Sequence, residues 1–170
     1  MIVIDSPPVE NCLGFLALSS YVMTLAPSIS RIVFPKYKKA FLPKILLKNR
    51  RLIGVFAFLF AFFHGWLLIN KRHIDFSDFR TSWIYCQGIA TMIIFTLLAA
   101  TSNDWSVKAL KKNWKQLHRL TYLAMFLFTW HVWDKMSGHW TYVTPISMVA
   151  ILSTTVLYFL RLWYEHRAEN

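Results

Sequence analysis

The stretch LIGVFAFLFAFFHGWLLIN, residues Leu52–Asn70, decides the fold. It holds no Asp, Glu, Lys or Arg, and twelve apolar or glycine positions run ahead of His64. About 20 mostly apolar residues cross the hydrocarbon core of a bilayer as a helix. The stretch therefore reads as a membrane span with one polar ring inside it.

Four further segments qualify on the same ground: Cys12–Phe34, Trp83–Ala100, Leu117–Trp133 and Tyr142–Trp163. Pro27, Ser28 and Arg31 interrupt the first, which is expected to kink or end near Pro27. Removing the five leaves no stretch long enough for a soluble domain. The N-terminus is acidic and lacks the basic region of a signal peptide, so Cys12–Phe34 is expected to be retained. The expectation is an all-α integral membrane protein, a bundle of about five transmembrane helices, forming one domain over residues 1–170.

Composition agrees. The chain is 56% hydrophobic, above the roughly 45–50% of soluble domains. Its net charge of +11 does not point to nucleic acid. The basic residues stand in short runs between oily segments, as loops at a membrane face do, and no groove-lining pattern is present. Residues 31–51 hold eight of them: Arg31, Lys36, Lys38, Lys39, Lys44, Lys48, Arg50 and Arg51. Residues 101–116 add Lys108, Lys111, Lys112 and Lys115. The positive-inside rule puts both loops in the cytoplasm, with the N-terminus outside and the C-terminus inside. The same charge suits anionic lipid headgroups.

Cys12 and Cys86 both fall near the expected outer face, where a bridge is conceivable and free thiols are commoner. With no CxxC pair, zinc and iron–sulfur sites are disfavoured. With no GxGxxG and no P-loop, the chain has no evident nucleotide site.

Six histidines remain. His73 and His139 fall in outer loops and His166 in the tail, where a solvated role suffices. A polar ring within a span is costly and faces the bundle interior. For His64, two readings stand: a hydrogen bond to a neighbouring helix, or ligation of a metal or heme. Depth favours the second. His64 comes thirteen residues after Arg51, and His131 thirteen after His118. At 1.5 Å per residue each lies about 20 Å along its helix. Two histidines at one level on facing helices can clamp a heme iron. His118 lies at the inner face, level with Arg50 and Arg51. There it suits a second heme, a propionate or a quinone. In one ideal helix, however, His118 and His131 point about 140° apart, so a tilt, bulge or supercoil is required.

These residues sit in recognisable patterns. LALSSYVMTLAPSISRIV (16–33), NRRLIGVFAFLFAFFH (49–64), LAATSNDW (98–105) and WKQLHRLTYL (114–123) followed by His131 together resemble the ferric-reductase-type transmembrane domain family. Within it they are most similar to heme-binding membrane subunits of periplasmic methionine sulfoxide reductase systems. The resemblance covers nearly the whole chain. It implies b-type heme, one or two, sometimes with FMN, and electron transfer across a membrane. By position it implies that His64, His118 and His131 are heme-associated. The family usually has six spans, and its first has no counterpart here. Trp105 and Trp114 read as interfacial residues, Thr101–Asp104 as helix-capping, and Gly54 and Gly65 as sites of close approach.

The expected function is a membrane b-type cytochrome. It relays electrons from a cytoplasmic flavin reductase or quinol to an acceptor at the outer side. Two alternatives stand beside it: a structural or assembly subunit of a larger membrane complex, and a ferric reductase. The expected site is His64, His131 and His118 as metal ligands, with Arg50 and Arg51 on propionates. Expected partners are membrane lipid and a redox protein or larger complex, without nucleic acid. The expected membrane is a bacterial-type plasma membrane or a thylakoid.

Overall fold

A computed structural model describes residues 6–36, 40–71, 79–136 and 141–169. Among them are eight helices: α1 (Val9–Val33), α2 (Phe41–Lys48), α3 (Arg50–Lys71), α4 (Phe79–Ala100), α5 (Asp104–Leu110), α6 (Lys112–His118), α7 (Leu120–Met136) and α8 (Val143–Glu169). Helices α1, α3, α4 and α8 are long and apolar enough to cross a membrane. Helix α7 has 17 residues, at the short end of the range for a span. The five pack as a ring, each against the next: α1 on α3, α3 on α4, α4 on α7, α7 on α8, and α8 back on α1.

The polarity of this ring is that of a membrane protein. On α3 only Ala57 is buried, while Phe56, Leu59, Phe63 and Trp66 face outward. Outward Ile89, Ile93 and Leu97 on α4 and Ile146, Val149 and Val156 on α8 continue the apolar sheath. Lipid is as apolar as these side chains, so close packing and interhelical hydrogen bonds hold such helices together. A central band supplies the packing: Leu18, Tyr21 and Leu25 of α1, Ala57, Phe95, Ala124, Met125 and Phe128, and Ile151 of α8. Tyr21, Phe95 and Phe128 form an aromatic cluster with centroids 5.2–5.5 Å apart. The Tyr21 hydroxyl donates to the Thr121 carbonyl, tying α1 to α7. Thr129 and Thr155 meet at 3.2 Å between α7 and α8.

Three local features bear on the expectations. Helix α1 passes through Pro27 without ending and stops at Val33. Pro27 is buried, so packing holds the turn whose backbone hydrogen bond proline removes. The expected span Leu117–Trp133 is divided: α6 ends at His118, and α7 starts at Leu120 after a turn at Arg119. His118 and His131 therefore lie on either side of a tightened turn at Arg119, whose backbone stays in the αR region. Cys12 and Cys86 are both free thiols.

Candidate functional site

Polar side chains gather at the two ends of the ring, leaving the apolar band between. At the end reached by the C-termini of α3 and α7 stand His64 and His131. His64 points inward from α3 toward α1, where its Nδ1 donates to the Glu10 carbonyl at 2.6 Å. A carbonyl only accepts, so this bond puts the proton on Nδ1 and leaves the Nε2 lone pair available. Gly14 makes the approach possible. A Cβ there would stand 3.1 Å from the His64 ring, tighter than ordinary contact.

His131 enters from α7 beside Gly88 of α4, where a Cβ would lie 3.6 Å from the ring. Its Nδ1 is buried without a hydrogen-bond partner, while the ring also lies against the Ile84 backbone of α4. A buried polar nitrogen without a partner is costly, and such atoms call for a reason. His64 and His131 are near enough for charge on one to act on the other. Their helices, α3 and α7, are not neighbours in the ring, and both histidines stand at the same end of it.

Polar links surround this pair. Lys71 bonds the Glu10 carboxylate at 2.8 Å, Lys135 bonds Asn11 Oδ1 at 2.6 Å, and Gln87 bonds Asp134 at 2.7 Å. These residues carried no signal in the sequence reading. All but Gln87, which is buried within α4, are ordinary polar residues near a helix end, and only the folded ring shows that they frame the histidines.

At the opposite end a cavity of about 270 Å³ opens between α1, α3, α4, α6 and α7. Its lining includes His118, Arg50, Arg51, Gly54, Tyr122 and Trp114. His118 stacks on Trp114 with centroids 4.0 Å apart, and its Nε2 lies 3.2 Å from Thr101 Oγ1. Arg50 donates to Ser28 Oγ at 3.3 Å. Arg51 pairs with Asp104, and that hydrogen bond and charge hold the exposed carboxyl below its usual range. Arg161 donates to the Tyr122 hydroxyl at 2.8 Å and lies over its ring. The fold thus brings His118, Arg50 and Arg51 together, as the sequence suggested, and separates them from the His64–His131 pair by the apolar band.

The motif residues Asn103 and Trp114 also make contacts that join the helices here. Asn103 caps α5 by accepting from the Ser106 amide at 2.8 Å, and its amide donates to the Ala100 carbonyl. Trp114 Nε1 donates to the Thr101 carbonyl at 2.9 Å, docking α6 on the end of α4. Trp105 is largely exposed, as an interfacial residue would be. A Cβ at Gly54 would stand 4.0 Å from Thr24, whereas one at Gly65 would meet nothing within 4 Å. His166 is exposed near the end of α8. His73 and His139 lie outside the described residues. Among the described residues no group of three or more His, Cys, Asp and Glu side chains could hold a metal ion alone. A ligand held by two histidines from opposite sides is compatible with that.

Comparison with known proteins bears on the same segments. The family described as ferric reductase like transmembrane component matches residues 13–129. Curated relatives carry the name protein-methionine-sulfoxide reductase heme-binding subunit MsrQ. That of Bordetella pertussis is 26% identical over 163 residues, covering 92% of this chain and 79% of the relative. That of Ralstonia nicotianae is 27% identical over 164 residues, covering 92% and 74%.

Proposed function

We propose, from the premise that this chain belongs to the ferric reductase like transmembrane component family, that it is a membrane b-type cytochrome. In this reading it relays electrons between a donor on the cytoplasmic side, a flavin reductase or quinol, and an acceptor at the outer side. The carrying observation is the pair of histidines at one end of the ring. His64 has its Nδ1 proton engaged by the Glu10 carbonyl, and His131 has a buried Nδ1 with no partner.

The residues present fit a heme. His64 and His131 come from non-adjacent helices into the ring interior, and glycines stand beside both rings. They would hold the iron between them, and a bis-histidine site leaves no position open, which suits electron transfer. The group supplies the one-electron chemistry when bound. The chain supplies ligands, a fixed imidazole tautomer and an apolar sheath that keeps water away. The relatives' name, which specifies heme binding within a methionine sulfoxide reductase system, supports this reading and suggests a partner reductase as acceptor.

The inner cavity serves the donor side. Arg50 and Arg51 offer planar guanidinium groups suited to carboxylates, and His118 offers a ring nitrogen beside them. This set suits the propionates of a second heme, a quinone headgroup or FMN. His118 is therefore assigned to the inner site and not to the outer pair.

The test is the reduced-minus-oxidised spectrum of purified variants. His64→Ala and His131→Ala should each abolish a low-spin heme or convert it to high spin, and the double variant should look like either single one. His118→Ala should leave that signal largely intact. A normal low-spin spectrum in His64→Ala, lost in His131→Ala, would remove the pairing. A colourless wild-type protein that purifies only with partner subunits would favour the assembly-subunit reading.

A further inference from the structure

The start of α1 is tied to both helices that carry the outer histidines. Glu10 and Asn11 are consecutive residues in its first turn. The Glu10 carboxylate is held by Lys71 at the end of α3, seven residues beyond His64. Asn11 is held by Lys135 at the end of α7, four residues beyond His131. Between these links the Glu10 carbonyl accepts the Nδ1 proton of His64, and one turn further on Gly14 lies against the same ring.

We propose that this first turn of α1 is the positioning element for His64. The Glu10 carbonyl sets tautomer and ring plane, and the Glu10–Lys71 and Asn11–Lys135 links hold that carbonyl against the ligand helices. The inference rests on the reading of His64 and His131 as ligands of one heme. Its physical basis is general. A ligating imidazole that donates its other N–H to a firm acceptor is the stronger donor, and that partner fixes its orientation. A stronger donor favours the ferric state, so loosening the acceptor raises the midpoint potential. Backbone carbonyls cannot be substituted, but the side chains that hold this one can.

The experiment measures the midpoint potential and the ferric low-spin electron paramagnetic resonance signal of the purified full chain. Asn11→Leu removes one link without changing net charge. It should retain a low-spin heme, raise the potential and alter the signal's g-spread. Glu10→Lys should do the same, and adding Lys71→Glu should restore the wild-type signal by rebuilding the pair in reverse. Gly14→Ala, which crowds the ring directly, should change the g-spread even with both links intact. Lys108→Met, at the other end of the ring, should change neither readout.

The two hypotheses fail differently. A wild-type low-spin heme that survives His64→Ala overturns the ligand assignment. A heme that depends on His64 and His131, but whose potential and g-spread ignore Asn11→Leu and Gly14→Ala, overturns the positioning role. If Asn11→Leu does not accumulate, the charge-swapped pair decides. Failure of the swap to restore the signal of Glu10→Lys counts against the proposal.

Discussion

Lys111 joins α5 to α6 with φ 47° and ψ −115°, a conformation that favours glycine. No other non-glycine residue described has positive φ. Lysine bears a Cβ clash there of about 1–3 kcal/mol, held in place by the surrounding docking of α6. Lys111→Gly should therefore stabilise the protein by about 1 kcal/mol, read as a higher midpoint in thermal or denaturant unfolding in detergent. A lower midpoint would show that the lysine side chain contributes more than its backbone costs. The histidines show the same dependence on surroundings. His64 was legible in the sequence because an imidazole within twelve apolar positions has few uses. Its acceptor was not, because any residue can present a backbone carbonyl, and only the packing of α1 on α3 selects that of Glu10.

The segment from Thr101 to His118 shows how much an element depends on its caps. Helices α5 and α6 have seven residues each, too few to persist alone in water. Asn103 supplies the cap of α5, and the Trp114 indole fastens α6 to α4. Asn103→Ala should cost about 1 kcal/mol, within the usual range for such caps. Trp114→Phe should remove the indole bond but preserve the stack on His118. In the proposed scheme the first variant lowers the unfolding midpoint, whereas the second changes ligand binding at the inner cavity. If Trp114→Phe leaves inner-site binding untouched, the Trp114–Thr101 bond has only a structural role. The long helices were legible from apolar length, to within a few residues at most ends. The division at Arg119 was not, since RLTYL continues a helical pattern without proline or glycine. The turn is a local tightening at Arg119, whose N–H bonds the Gln116 carbonyl, and no residue type announces it.

At the scale of the molecule, Arg50 and Arg51 of the first basic segment and Lys115 of the second line one cavity at one end of the ring, and Arg161 of α8 reaches it through Tyr122. The positive-inside rule predicts that this end, and the tail beyond α8, face the cytoplasm. An accessibility tag on that tail should react only after cells are permeabilised. Labelling of intact cells would overturn the orientation. The ring also has a consequence for its own biogenesis. Of the five ring helices α1 is made before the others, yet one of its two neighbours in the ring, α8, is made after them. Until α8 arrives, the flank of α1 that meets it has only lipid or a chaperone against it, and the assembly stays an open arc. Closure joins residues far apart in the chain, the kind of contact that forms slowly. An insertion machinery that shelters α1 through the synthesis of the other four would shorten the interval in which the polar groups near His64 lie open to the bilayer.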